Sequence, residues 1–308
     1  MQRLQRILTN EWFRAGGLAV AILLLNHLFI LRFVRVESTS MFATLLPGDL
    51  MGVTRWATWT GLRSGDIAVF RDPLQDDRSR WQRQLLVKRV AGAPGDRVEL
   101  RKGRLFVNDK EVLTPTATWS HLVRLRSDTS PTLVHRALGL PPIPTGRSFI
   151  EAPLNDSLRR QVAALTGVGT VEPMGMAGGT PRHIFPFSPN YPWNGDTYGP
   201  IRVPRKGDTL KVTMANLPLY DRLLSHYEGH ALAHAGNVLL IDDQPGGTVV
   251  LDQDYYFVLG DSRHFSADSR YWGFVPADHV VGRADFVVVG KDLRTVPWNG
   301  KRWFRALD

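Results

Sequence analysis

The chain begins with a long apolar run and then changes to short alternating segments. The run extends from Ala15 to Leu31 without a charged residue and is broken only by Asn26 and His27. As a helix it would be about 26 Å long, slightly less than a hydrocarbon core of about 30 Å unless its aromatic flanks extend it. We therefore predict one N-terminal transmembrane helix over residues 15–34.

Charges around this run predict its orientation. Arginines outnumber acidic residues before it, and cytoplasmic flanks generally carry such a basic excess. We expect residues 1–14 in the cytoplasm and the body on the outer, periplasmic face of the cytoplasmic (inner) membrane, held by a single pass. A cleaved signal peptide is the alternative, but the RFVRVES segment that follows contains no small-x-small cleavage site.

Beyond the predicted anchor, short apolar or alternating runs are separated by Gly-Asp pairs, a pattern typical of strands and turns. Two breaks in the alternation of residues 97–112 predict consecutive antiparallel strands. The strand-like runs concentrate in residues 35–112 and 251–290. We predict a mainly β protein with an antiparallel lobe built from these two segments.

The middle of the chain, residues 113–250, is richer in Pro and Gly and predicts an inserted, loop-rich second lobe. Residues 155–167 are expected to form a short helix, with Asn155 or Asp156 as its cap. A second helix is expected over residues 217–234.

The amino-acid composition excludes several kinds of functional site and indicates the kind of partner. The 308 residues include no cysteine, which excludes disulfides, thiolate metal ligands and a thiol nucleophile. The formal net charge of +9 suggests an acidic partner, but no long Lys/Arg run favours nucleic acid, so membrane lipid is the better candidate. The basic and aromatic tail, residues 291–308, could meet anionic headgroups or equally well pack on the sheet.

Three histidines occur at helical spacing. His226, His230 and His234 are four residues apart, so a helix would align them as a possible metal triad. Gly229 lies between them and no carboxylate cluster accompanies them. A solvated helix face is the better interpretation, and we expect no metal.

A serine and a lysine offer a different chemistry. Ser38 and Ser40 stand where the chain leaves the predicted anchor, in a composition that is also common in linkers. Lys88 lies inside an apolar, strand-like run, where a lysine usually extends its amine to water. Burial could instead lower its pKa from about 10.4 toward 7 and leave the amine neutral. A neutral lysine can act as the base for a serine nucleophile.

One further stretch is unusually polar and aperiodic. Residues 260–276, GDSRHFSADSRYWGFVP, concentrate Asp, Ser and Arg beside aromatic side chains. Together with the serine and lysine segments, this stretch resembles the bacterial type I signal peptidases, membrane-anchored serine proteases with a Ser-Lys dyad. The matching segments, in the order of the family, are STSM at 38–41, GDIAVF at 65–70, VKRVAGAPGD at 87–96, GDSRHFSADSRYWGFVP at 260–276 and VVGRA at 280–284.

The resemblance implies a mainly antiparallel β fold with a catalytic lobe and a variable inserted lobe. It also implies an endopeptidase that removes signal peptides from exported preproteins, without metal or cofactor. By position, Ser40 would be the nucleophile and Lys88 its general base. Ser38 would join the backbone N–H of Ser40 in an oxyanion hole, and Ser266 would hydrogen-bond Lys88.

The same resemblance assigns two supporting sets of residues. Expected to line shallow pockets for small substrate side chains are Val36, Met41, Leu45, Leu86 and Val87. Expected to form structural ion pairs around the 260–276 loop are Arg89, Asp261, Asp268 and Arg270.

The chain departs from the family pattern at three positions. Glu37 and Ala43 stand where proline is usual, and Thr39 stands where glycine is frequent. A carboxylate facing the cleft would favour charged Lys88 and weaken it as a base. We therefore expect Glu37 to point to solvent or to pair with an arginine.

Other functions stay open at this point. A specialised peptidase could use the same dyad on a single exported propeptide, or a catalytically silent module tethered to the membrane could present residues 113–250 to a partner. Self-cleaving transcriptional regulators also use Ser-Lys dyads, but the predicted anchor argues against one. The presence of Ser40, Lys88 and Ser266 together argues against a silent module. We expect the protein to be a monomer.

Overall fold

The computed structural model describes residues 11–127, 129–141, 148–176, 183–236, 238–290 and 302–307. The first ten residues and most of the basic and aromatic tail, on which predictions were made, lie outside the described residues. Helices and strands are numbered along the chain.

The apolar run begins as helix α1 (Glu11–Phe29), but the helix does not continue to residue 34. Residues 31–35 form strand β1 (Leu31–Arg35), which pairs antiparallel with β2 (Leu50–Thr54) along its whole length. Alternation explains the difference, because it buries Val34 between exposed neighbours, as in a strand. Within the described part of the chain, no helix combines the length and the apolar character needed to cross a membrane.

An eight-stranded antiparallel sheet forms the centre of the molecule. Its strand order is β1-β2-β19-β3-β4-β17-β18, with β20 beside β19. The strands other than β1 and β2 are β3 (Ile67–Arg71), β4 (Leu85–Gly92), β17 (Tyr255–Leu259), β18 (Val275–Pro276), β19 (Val280–Val289) and β20 (Arg305–Ala306). The two segments predicted from the strand pattern thus interleave, because β3 and β4 pair with β19 and β17.

Residues 97–112 form the consecutive antiparallel strands that the alternation predicts. They are β5 (Arg97–Arg101), β6 (Arg104–Val107) and β7 (Lys110–Val112). The turns between them contain Lys102, Asn108 and Asp109, which adopt positive φ angles. These strands extend a separate sheet with β11 (Tyr198–Arg202) rather than the central one.

The middle segment contains more regular structure than its Pro and Gly content suggests. One three-stranded sheet holds β8 (Trp119–Leu125), β9 (Phe149–Leu154) and β10 (Val168–Pro173). The further strands are β12 (Thr209–Val212), β13 (Leu232–Ala235), β14 (Val238–Ile241), β15 (Gln244–Pro245) and β16 (Gly247–Val250). Its short helices are α3 (Thr132–Leu138), α4 (Asp156–Ala163) and α5 (Leu217–Arg222). Two further short helices lie outside this segment, α2 (Ala57–Thr60) and α6 (Ser269–Trp272).

The two helix predictions for this segment had different outcomes. Helix α4 is confirmed, and the Asn155 side chain caps it by accepting from the Leu158 N–H at 2.9 Å. The helix over residues 217–234 is confirmed only as far as a π-helical turn, Leu223–Tyr227. Gly229 then adopts a φ of +75° and ends the helical path, so the three histidines do not share a helix face.

A buried apolar cluster joins the three-stranded sheet to the segment that follows Ser40. Phe42 and Leu46 pack with Val123, Ile150 and Leu154 from β8 and β9. Packing between distant segments therefore sets the position of the Ser40 turn.

Candidate active site

Ser40 lies in a turn that is anchored on both sides. Met41 and Leu45 are buried in the core, and the Leu45 N–H donates to the Met41 carbonyl at 2.8 Å. The Ser40 carbonyl accepts from the Ser262 N–H at 3.0 Å, which ties the turn to the 260–276 loop. The Ser40 side chain is itself only 6% exposed. Its hydroxyl is therefore held in one place before any substrate arrives.

Lys88 reaches this hydroxyl from the central sheet. It lies in β4, opposite Ala68 of β3, and is 4% exposed. Its Nζ donates a hydrogen bond of 2.6 Å to Ser40 Oγ. The strand pleat directs Lys88 to this side and the next residue, Arg89, to the other.

Burial changes the chemistry of this amine. It lowers the pKa of Lys88 from its ordinary value of 10.5 to about 8, and the nearby Arg270 guanidinium acts in the same direction. Asp268 and Asp261 oppose the shift by favouring the ammonium form. A substantial fraction of neutral amine is therefore present at mildly alkaline pH, where it can accept a proton.

Ser38 lies beside the same hydroxyl. Its Oγ is 3.1 Å from Ser40 Oγ, and its side chain is exposed. Among the described residues, no acceptor takes the backbone N–H of Ser40. Two hydrogen-bond donors are thus available next to Ser40 Oγ.

Ser266 does not make the expected hydrogen bond to Lys88. Its hydroxyl is buried and has no hydrogen-bond partner among the described residues. It packs instead on Gly260, where an added Cβ would collide with the Ser266 side chain and lie 2.6 Å from the Ser40 carbonyl oxygen. In the sequence, Gly260 belongs to a Gly-Asp pair and begins the 260–276 stretch, but no local pattern indicates this close approach.

The four charged residues expected around the loop form two pairs. Arg89 binds Asp261 through Nε and Nη2, each at 2.9 Å. Arg270 binds Asp268 through Nε and Nη2, each at 2.8 Å, and both side chains are fully buried. Asp268 also accepts from the Gly260 N–H at 2.9 Å, so this pair holds the loop segment next to Ser40.

Two supporting contacts were missed at the sequence level. The Thr44 hydroxyl donates to Asp261, so the segment after Ser40 is tied to the Arg89–Asp261 pair. His264 contacts Asp196 of the inserted segment at 2.7 Å. Both are contacts between residues far apart in sequence, which no local motif predicts.

A groove of about 370 Å³ leads to the Ser40–Lys88 pair. Four of the five residues expected to line substrate pockets border it: Val36, Met41, Leu86 and Val87. Leu45 does not border it but packs beneath Met41 in the core, fully buried. These four side chains make one part of the groove apolar, beside charged and polar residues that include Arg32, Arg35 and Gln84.

Glu37 lies at the rim of this groove with an exposed side chain. The described residues include no arginine that pairs with it. The charges that act on the pKa of Lys88 most strongly come instead from the buried Asp268 and Arg270. The exposed position agrees with the expectation that Glu37 points to solvent.

No metal site accompanies these residues. Across the described ranges, no group of three or more His, Asp or Glu side chains is arranged to hold a metal ion. Of the three spaced histidines, His230 instead contacts Asp242 at 2.7 Å and His234 lies on β13.

Comparison with known families agrees with the geometry. Residues 9–151 and 200–289 match the family described as "Signal peptidase, peptidase S26". The gap between the two matched segments falls in the inserted segment.

Two Bacillus relatives match over most of their own length, and a Staphylococcus relative matches over about half of its length. A signal peptidase I of Bacillus licheniformis is 28% identical over 185 residues, which cover 58% of this chain and 89% of the relative. Signal peptidase I T of Bacillus subtilis is 26% identical over 185 residues, covering 58% and 86%. Signal peptidase IB of Staphylococcus aureus is 34% identical over 102 residues, covering 33% and 49%.

Proposed function

The chain belongs to the signal peptidases of peptidase family S26, and we propose that Ser40 and Lys88 are its catalytic pair. It is a serine endopeptidase, and its substrates are exported preproteins. The observation that carries the proposal is the 2.6 Å hydrogen bond from a buried lysine, whose pKa is lowered to about 8, to a buried serine hydroxyl.

In the first half of the reaction, neutral Lys88 takes the Ser40 hydroxyl proton as Oγ attacks the carbonyl carbon of the scissile bond. The carbonyl oxygen becomes negative and receives hydrogen bonds from the Ser40 N–H and the Ser38 hydroxyl. The C–N bond then breaks, and the Lys88 ammonium gives its proton to the leaving amine. The mature protein departs, and the signal peptide is left as an ester on Ser40.

In the second half, Lys88 takes a proton from a water molecule that attacks this ester. The same two donors stabilise the second oxyanion. The C–O bond to Ser40 breaks, the proton returns to Oγ, and the signal peptide leaves with a free carboxylate. Lys88 thus alternates between base and acid.

The groove supports a preference for small side chains before the scissile bond. Val36, Met41, Leu86 and Val87 are the residues that we propose contact them. Ser266 and the Arg89–Asp261 and Asp268–Arg270 pairs would keep the loop and Lys88 in position. This chain supplies every residue of the proposed mechanism, so the mechanism itself needs no second copy.

We infer that the enzyme works at a membrane, with α1 as part of an N-terminal anchor and the catalytic lobe on the outer face of the cytoplasmic membrane. Exposed apolar side chains on α1 support this inference, including Leu18, Val20 and Ile22. Extraction of membranes with alkaline carbonate tests attachment, and protease access to intact spheroplasts tests the side on which the body lies.

Mass-spectrometric mapping of the bond cut in a preprotein tests the proposed function. Wild-type protein should cut once, after the signal sequence, and Ser40→Ala should leave the preprotein intact. A panel of ordinary signal peptides separates a general signal peptidase, which cuts most of them, from an enzyme dedicated to one propeptide.

A further inference from the structure

A second cavity, lined by other residues than the substrate groove, is rich in arginine. Its volume is about 300 Å³. It lies where the β3–β4 connection, the π-helical turn of the inserted segment and the start of β19 meet. Its lining residues are Arg71, Asp76, Arg80, Arg83, His226, Tyr227, Asp278 and His279.

The two carboxylates of this cavity already have partners. Asp76 binds Arg83 at 2.7 Å and Arg222 at 2.8 Å, and it contacts His279 at 3.1 Å. Asp278 contacts the other ring nitrogen of His279 at 2.8 Å. Asp278 also acts on Arg71 and Arg80 through its charge, but the two carboxylates face four arginines: Arg71, Arg80, Arg83 and Arg222.

Arg71 and Arg80 are the cations that remain. Arg71 is 9% exposed, yet within the described residues it forms no ion pair, and its one hydrogen bond runs from Nε to the Arg80 carbonyl at 3.0 Å. In the same described ranges, the Arg80 side chain donates to one acceptor, the backbone carbonyl of Asp278, at 2.6 Å. Burial, together with the positive charges of Arg80, Arg32 and Arg55, lowers the pKa of Arg71. The cavity therefore keeps an excess of positive charge, and neither Arg71 nor Arg80 has a carboxylate hydrogen-bond partner among the described residues.

The position of these arginines indicates what kind of anion they meet. Strands β2 and β3 both run antiparallel to β19. Arg55, which follows β2, and Arg71, the last residue of β3, therefore lie at the same end of the strands, next to the start of β19. Helix α1 meets the sheet at this same end. Ile30, the residue after the helix, accepts a hydrogen bond of 2.9 Å from the Arg55 N–H. The segments that follow β2 and β3 at this end carry four large, exposed apolar side chains: Trp56, Trp59, Leu74 and Trp81.

We propose that Arg71 and Arg80 bind the phosphate group of a membrane lipid. Guanidinium groups bind phosphate oxygens through paired hydrogen bonds, and indole rings favour the boundary between headgroups and acyl chains. A free phosphate ion could form the same hydrogen bonds with the arginines, but it has no acyl chain that could contact the exposed tryptophans. The site is separate from Ser40 and Lys88, so its test does not depend on peptidase activity.

Calorimetric titration of the full chain in phosphate-free maltoside micelles tests the proposal. The probes are dihexanoylphosphatidylglycerol and inorganic phosphate. Wild-type protein should bind the lipid more tightly than inorganic phosphate. Arg80→Gln should weaken lipid binding about five-fold, the effect of removing one cation near a headgroup. Arg160→Gln, an exposed arginine on α4, is the matched control and should bind like the wild type.

Arg80 is exposed, so its replacement should leave the fold and peptide cleavage intact even if Arg71→Gln fails to fold. Equal lipid affinity of wild type and Arg80→Gln would overturn the site. Equal affinity of the wild type for lipid and for inorganic phosphate would overturn the lipid as its ligand.

Discussion

The amine of Lys88 lies 2.6 Å from the hydroxyl of Ser40, and both side chains are buried. Burial favours the neutral amine, and the short distance places the Ser40 hydroxyl proton within reach of that amine when it acts as a base. Neither residue is reactive by its type alone, because a solvated lysine stays charged and a solvated serine stays protonated at neutral pH. Burial of the two side chains next to each other allows Lys88 to act as a base for Ser40.

The first prediction concerns pH. The pKa of Lys88 is lowered to about 8, and only the deprotonated amine can act as the base. The value of kcat/KM for a peptide substrate should therefore rise about tenfold per pH unit below pH 8 and level off above it. Stopped assays between pH 6 and 9, with substrate well below KM, measure this. A flat profile would contradict a titrating lysine.

The second prediction concerns Ser38. Its hydroxyl is one of two donors proposed for the oxyanion, so Ser38→Ala should lower kcat by about 10²- to 10³-fold, the usual cost of losing such a donor. KM should change little, since the bond strengthens only in the transition state. Ser130→Ala, at another exposed serine that lies outside the groove, is the control. A large rise in KM with unchanged kcat would show that Ser38 binds substrate instead.

The third prediction concerns Ser266. Its buried hydroxyl has no partner among the described residues, so Ser266→Ala should change the free energy of unfolding by less than about 1 kcal/mol. Its packing beside Gly260 still supports the loop, and kcat/KM should fall less than in Ser40→Ala. Urea unfolding and peptide cleavage on the same preparation measure both. Loss of activity as complete as in Ser40→Ala would give Ser266 a direct role.

The fourth prediction concerns the Arg89–Asp261 pair. Asp261→Asn removes the carboxylate charge that the buried Arg89 guanidinium binds, so the free energy of unfolding should fall by about 3–5 kcal/mol. Glu172→Gln is the matched control, because its pair with Arg124 is exposed and loose, at 3.9 Å, and should matter by less than about 1 kcal/mol. Equal effects of the two substitutions would show that the buried pair does not hold the loop.

Much of the fold follows from local patterns. Alternation and turn residues predict β5, β6 and β7, and Asn155 predicts the start of α4. The residue at which α1 ends could not be predicted from the sequence, because an apolar run can continue either as a helix or as a strand. Pairing with β2 decides in favour of β1, and the partner lies fifteen or more residues further on in the sequence.

The site divides in a similar way. Motif order is enough to select Ser40 and Lys88, but the burial that lowers the pKa of Lys88 depends on β3, β17 and the 260–276 loop packing around it. The missing Ser266 bond, the buried position of Leu45 and the Thr44–Asp261 contact are likewise tertiary outcomes. The arginine cavity has no sequence signature, because its members are scattered between residues 71 and 279.

Replacement of Lys88 by methionine tests the central claim most directly, because it keeps the apolar length of the side chain and removes the amine. Preprotein cleavage by purified Lys88→Met should fall about 10⁴-fold in kcat/KM, the scale expected for loss of a general base, while the thermal midpoint stays at or above that of the wild type. Cleavage within tenfold of the wild type by the folded variant would contradict Lys88 as the base for Ser40.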